Sequence, residues 1–314
     1  MGLRIGRGDQ DAVRADPAGD RAMDAEEIAD ARLRDFDWAV LPADFRSTSF
    51  AAPSGRLAMI SCGDPDAQPV VLVPGATGSK EDFAIMMPIL AAAGYFVLSL
   101  DLAGQYESAG AGPEHLDPPR AHYDYDLFVD DLLAVLRDIG RPAHVVGYSF
   151  AGVIAGLAFA QEPEHFASLA LLSCPPLPGQ SFRGISRIGA LTSFAGGRVS
   201  AALMIWGIRR NFVPVPPGRL RFVRARFALT RRQSVRDIMG LMKRTPDLSM
   251  LLARATLPKL VAVGEHDLWP TRLHAEFARS LDAGLAVYPT GHSPCETSPH
   301  QLSRDLMDLF AAAG

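Results

Sequence analysis

A chain of 314 residues with a formal net charge of −4 and 48 % hydrophobic residues can bury a large core, which excludes a disordered protein. It has no run of about 18 apolar residues, so no transmembrane helix is expected. Three widely spaced cysteines, Cys62, Cys174 and Cys295, exclude a disulfide scaffold and offer no metal-ligand spacing.

Residues 1 to about 44 read as an N-terminal tail. They are rich in Asp, Ala, Arg and Gly, and the first part is expected to be disordered. Asp24 to Phe36 has acids in its first turn and predicts a short helix. Met23 is a second candidate for the start. Arg4 and Arg7 are followed by Asp and Arg where a signal peptide needs an apolar run, so the expectation is a cytoplasmic protein. No catalytic role is assigned to this region.

From Phe45 the pattern changes. Ser47 to Ala51 and Leu57 to Cys62 read as a hairpin around Pro53-Ser54-Gly55. Pro69 to Val73 is a continuous apolar run suited to a strand buried on both faces, and it ends at Pro74-Gly75-Ala76-Thr77-Gly78-Ser79. A helix is predicted over Glu81 to Ala93, then a strand over Tyr95 to Leu100, which ends in Asp101-Leu102-Ala103-Gly104-Gln105-Tyr106-Glu107-Ser108. Asp124 to Ile139 has an apolar face of Leu127, Phe128, Leu132, Val135, Leu136 and Ile139, with Gly140 as its stop.

The run Ala143 to Val146 halts at Gly147-Tyr148-Ser149-Phe150-Ala151-Gly152, and the helix-permissive Val153 to Ala160 follows. That is a strand, a sharp turn and a helix, with a hydroxyl at the tip of the turn. The residues two before and two after the serine must be small, and here they are Gly147 and Ala151. A strand over Ala167 to Leu172 closes this half.

Alternation resumes after Pro258, with a strand to Val263, a helix over Arg272 to Leu281, a strand over Leu285 to Tyr288 and a helix over His300 to Ala312. Strand alternating with helix predicts an α/β fold, a mostly parallel doubly wound sheet whose ligands bind beyond the strand ends. The intervening residues 175–256 are helical in pattern and read as an inserted helical cap, leaving 45–174 and 257–314 as the core. The cap is rich in arginine, including Arg183, Arg187, Arg198, Arg209, Arg210, Arg219 and Arg226, against only Asp237 and Asp247. Most of these arginines are expected on a solvated face, with attraction of an anionic substrate as the alternative. Without a recognisable module they imply no nucleic-acid binding. Apolar residues such as Ala201 to Trp206, Phe222, Phe227, Met239, Met242 and Met250 would line an acyl pocket or pack the cap on the core.

A serine hydroxyl needs a base, and the base needs an orienting acid. His292, in Pro289-Thr290-Gly291-His292-Ser293-Pro294 after the last strand, fits the base better than His266, His115 or His122. Gly264-Glu265-His266-Asp267 supplies the acid, Asp267 first and Glu265 second, although Asp267 could also serve as a helix cap before Pro270. A tetrahedral oxyanion needs two N–H donors, expected from Phe150 and Ala76.

These five motifs, in this order and at strand ends, resemble the α/β-hydrolase superfamily from about Phe45 to the C-terminus. The resemblance implies Ser149 as nucleophile, His292 as base, Asp267 as acid, Ala76 and Phe150 as the oxyanion hole, and Asp101 as a loop-organising acid. No cofactor and no metal are expected. Pro74, Tyr106 and Ala151 depart from common family residues. A serine at the elbow excludes the aspartate-nucleophile branches, haloalkane dehalogenases and epoxide hydrolases.

The expected activity is hydrolysis of a carboxylic ester or related acyl compound, with a small-molecule acyl substrate as the partner and no membrane span. Carbon–carbon bond hydrolysis, acyl transfer, a cofactor-free perhydrolase and a non-catalytic ligand receptor are the alternatives. The patterning sets no oligomeric state.

Overall fold

The computed structural model describes residues 23–179, 181 and 215–314. The expected disordered tail, and within the insertion Arg183, Arg187, Arg198, Arg209, Arg210 and Ala201 to Trp206, lie outside the described residues.

Eight strands form one sheet in the order β1-β2-β4-β3-β5-β6-β7-β8. They are β1 (Arg46–Ala52), β2 (Gly55–Cys62), β3 (Pro69–Val73), β4 (Phe96–Leu100), β5 (Ala143–Tyr148), β6 (Phe166–Leu172), β7 (Lys259–Gly264) and β8 (Gly284–Tyr288). The first two pair as the predicted antiparallel hairpin, and β2 runs antiparallel to β4. All later pairings are parallel.

Every residue of β3, β5 and β7 is buried, because helices cover both faces of the sheet. The alternation of period two sorts β3 cleanly. Val71 and Val73 join one core layer with α3 (Tyr125–Ile139), α4 (Phe150–Gln161) and α8 (Thr271–Ser280). Val70 and Leu72 join the other, with α2 (Met86–Ala92) and α10 (Pro299–Ala311). Asp124 caps α3 by accepting from Leu127 N–H, and Gly140 ends it at φ 72°.

The helix predicted over Glu81 to Ala93 is two pieces, a 3₁₀ turn over Lys80–Phe83 and then α2. Pro88 accounts for the break. In a continuous helix its ring would meet the carbonyl of Ala84, whereas in the first turn of α2 its missing N–H has no helical partner to lose.

The N-terminal helix is α1 (Ala25–Ala31), closed at its start by a capping box between Asp24 and Glu27. It packs on α10, where buried Asp30 accepts from the backbone N–H groups of His300 (2.9 Å) and Gln301 (3.2 Å).

Between β6 and β7 the described residues form α5 (Pro217–Leu229), α6 (Arg232–Leu241) and α7 (Leu248–Leu252). These inserted helices rest on the loops that follow β3 and β4. Thr230 Oγ1 accepts from Tyr106 N–H at 3.1 Å, and Arg231 N–H donates to the Gly104 carbonyl at 2.8 Å. Arg221, Arg224, Arg232, Arg236, Lys243, Arg244 and Arg254 are exposed, as expected of a solvated face. Arg219 and Arg226 are buried, and both pair with Asp82 of the 3₁₀ turn after β3. Arg219 also pairs with Glu296 of the short α9 (Pro294–Thr297). Part of the positive charge of these helices is thus neutralised by acids that follow β3 and β8. Phe222 packs with Trp38 and Ala84, Met242 enters the main core, and Met250 is exposed.

Candidate active site

The turn after β5 sets the site. Ser149 takes φ 54° and ψ −116°, a region a side chain rarely adopts, directly before α4. Its own N–H donates to the Leu172 carbonyl at 2.7 Å, which pins the turn to the end of β6. A Cβ on Gly147 would stand 2.5 Å from the Ala151 carbonyl, so the turn closes only over glycine. Ala151 fits in the core behind it, fully buried. The serine side chain caps nothing in its helix, and its Oγ lies 3.1 Å from His292 Nε2.

His292 arrives on the loop after β8. That loop runs close over the end of β7, where a Cβ on Gly264 would overlap the Gly291 carbonyl. His292 Nδ1 hydrogen-bonds to Asp267 Oδ1. The Asp267 side chain is wholly buried, and its Oδ1 also accepts from Leu268 N–H at 2.6 Å. Burial by itself would raise the Asp267 pKa, yet the imidazoles of His292 and His274 hold it down at about 2. The carboxylate is therefore ionised throughout the neutral range. Asp267 does not cap α8, where Pro270 holds the cap position.

Glu265, the second candidate acid, is exposed and lies 2.9 Å from exposed His266. His115 and His122 are exposed on the loop leading to α3, where His115 contacts the Gly110 carbonyl and His122 approaches Asp237. The structure thus brings together Ser149, His292 and Asp267 and leaves the other candidates apart.

The loop after β3 lies against the serine turn. A Cβ on Gly75 would come within 3.0 Å of Ser149 Cβ, and only its absence lets the backbone approach so closely. Ala76 follows, then Thr77 at φ 59°. Among the described residues, neither Ala76 N–H nor Phe150 N–H donates a hydrogen bond. Phe150 N–H heads α4, at the positive end of the helix. Both donors belong to segments that meet at Ser149, since Phe150 follows it and Gly75, next to Ala76, packs on its Cβ.

Asp101 secures this loop from below. It is fully buried and accepts from Lys80 N–H at 2.8 Å and Glu107 N–H at 3.2 Å, tying the loops after β3 and β4 together.

One close neighbour of the site escaped sequence reading. His274 of α8 is wholly buried with Nε2 3.1 Å from Asp267 Oδ2. The available signal was its place on the apolar stripe of that helix, beside Phe277, Ala278 and Leu281.

Comparisons with known proteins agree with this architecture. Residues 70–305 match the profile of the Alpha/beta hydrolase family. Epoxide hydrolase A of Mycobacterium tuberculosis is 32 % identical over 124 residues, covering 39 % of this chain and 37 % of that protein. The chain thus matches well under half the length of that relative. A thermophilic esterase from Thermogutta terrifontis superposes with a TM-score of 0.67 at 21 % identity, over 85 % of this chain and 99 % of that one. The enol-lactonase from Burkholderia xenovorans LB400 superposes with a TM-score of 0.68 at 18 % identity, over 84 % and 100 %. At these identities the likeness to the solved structures is one of fold. The profile spans well over half the sequence, and the chain belongs to the alpha/beta hydrolase family.

Proposed function

We propose that this hydrolase cleaves a carboxylic ester or related acyl compound by nucleophilic catalysis at Ser149. The observation that carries the reading is the hydrogen-bonded file from Ser149 Oγ through His292 to Asp267. Ser149 Oγ attacks the substrate carbonyl while His292 Nε2 takes its proton. Asp267 orients the imidazole and stabilises the imidazolium. The oxyanion accepts from the N–H groups of Ala76 and Phe150. Collapse of the tetrahedral adduct expels the alcohol, which His292 protonates, and leaves an acyl-enzyme. Water, deprotonated by the same imidazole, then releases the acid and restores the hydroxyl. We read 175–256 as a helical cap over this site.

The elbow carries a hydroxyl in place of a carboxylate, which favours acyl transfer to water over the epoxide opening named for one relative. A fluorophosphonate probe should label the wild type and leave Ser149→Ala unlabelled. The same substitution should lower turnover on a panel of esters, thioesters and lactones by at least about 10³-fold. A folded wild type that resists the probe would refute the reading.

A further inference from the structure

Beside the site two buried polar groups lack aligned hydrogen bonds. One is the second carboxylate oxygen of Asp267, and the other is the imidazole of His274, on both of its nitrogens. They face each other, with His274 Nε2 3.1 Å from Asp267 Oδ2 and both side chains wholly buried. Leaving an ionised oxygen without a donor in the interior costs more than the small ring rotation that would align the pair.

We propose that His274 is a positioning residue for the acid, its Nε2–H donating to Asp267 Oδ2 and fixing the carboxylate so that Oδ1 stays on His292. This rests on the serine-hydrolase reading above. The surroundings suit the role. Trp269 packs edge-on against His274, with ring centroids 6.1 Å apart, and lies 6.0 Å from the His292 ring. Its Nε1–H donates to the Ser181 carbonyl at 2.6 Å, so the indole that abuts both imidazoles is itself anchored. The groups facing Asp267 are His292 from the loop after β8, His274 from α8 and the Cys174 thiol after β6. Burial first, and then the nearby carboxylate, push the thiol pKa up, so it brings no charge. The two imidazoles therefore share the charge of one carboxylate. Without the donor from His274 nothing holds Oδ2, and the carboxylate can turn Oδ1 out of line with His292 Nδ1.

The test compares wild type, His274→Leu and His274→Gln. The glutamine Nε2 can reach the same oxygen, whereas leucine cannot donate. His274→Leu should lower kcat and the rate of fluorophosphonate labelling about 10-fold, by analogy with loss of an orienting partner behind a ligand, and leave KM within about twofold. The ¹H NMR resonance of His292 Nδ1–H should move upfield as its hydrogen bond to Asp267 loosens. His274→Gln should recover most of the rate and return that resonance toward wild type.

A folded His274→Leu with wild-type kcat and an unmoved Nδ1–H resonance, losing thermal stability only, overturns the proposal. So does a folded His274→Gln that is no better than leucine. If the wild type labels at Ser149 and all three proteins share one rate, only the role of His274 falls. If the folded wild type does not label, the serine-hydrolase reading falls, and the Nδ1–H resonance still decides His274.

Discussion

At position 149 the backbone occupies a conformation that costs of the order of 1–3 kcal/mol, and the surrounding turn holds it there. What the strain achieves is direction, since the hydroxyl projects from the sheet end toward His292 instead of capping its own helix. In the proposed mechanism Asp267 acts at one further remove. Asp267→Asn keeps the shape but presents His292 with the wrong tautomer, and kcat should fall by about 10⁴-fold. The same carboxylate makes a pH prediction. Its folded-state pKa of about 2 lies below the ordinary value of 3.8. The stabilisation is thus present above about pH 4 and lost as pH falls through 2, amounting to about 2 kcal/mol. Urea unfolding between pH 5 and pH 2 should show a steeper loss for wild type than for Asp267→Asn, and parallel curves would contradict the ionised, imidazole-paired state.

At the scale of elements, buried polar contacts fix what propensity leaves loose. Asp131 of α3 reaches the turn between β1 and β2, accepting from Ser54 N–H at 3.0 Å and Ser54 O–H at 2.6 Å. Burial pushes its pKa up to about 7, which the two Ser54 donors only partly oppose. The sign is opposite to that of Asp267. Stability is full below about pH 4, and a penalty builds as pH rises to 7, up to about 4 kcal/mol. Asparagine can accept from Ser54 N–H and donate to its hydroxyl. Asp131→Asn should therefore gain on wild type in denaturant midpoint as pH rises from 4 to 7, and a constant difference across that range would refute the assignment. In the segment after β3, Asp82 joins Arg219 and Arg226, and Arg219 joins Glu296. The inserted helices are thereby coupled to the segments after Ala76 and after His292, the two loops that shape the site.

Across the whole molecule, the N-terminal segment is part of the architecture. Asp35 accepts from Gly218 N–H at 2.6 Å, at the start of α5, and the Trp38 ring lies 4.3 Å from the Arg219 guanidinium. Arg304 of α10 reaches Asp24 at 2.8 Å. One segment therefore touches the C-terminal helix and the inserted helices together. Removing residues up to 44 should lower Tm by at least about 4 °C, and calorimetry showing an unchanged Tm would contradict the bracing.

The sequence by itself determined the strands and most helices, because a run buried on both faces must be apolar throughout and a helix must show its stripe. It also determined the serine turn, since only small residues fit at Gly147 and Ala151, and the loops that bear His292 and Asp267. Tertiary structure alone decided which carboxylate meets the imidazole, for Glu265 and Asp267 are two residues apart and only burial separates them. It decided that Arg219 and Arg226 turn inward among arginines that look alike in one dimension. It decided that His274 stands behind the acid, and that Asp24, Asp35 and Trp38 touch helices far along the chain. In each case the deciding term is a contact between segments far apart along the chain, and local pattern carries no record of such a partner.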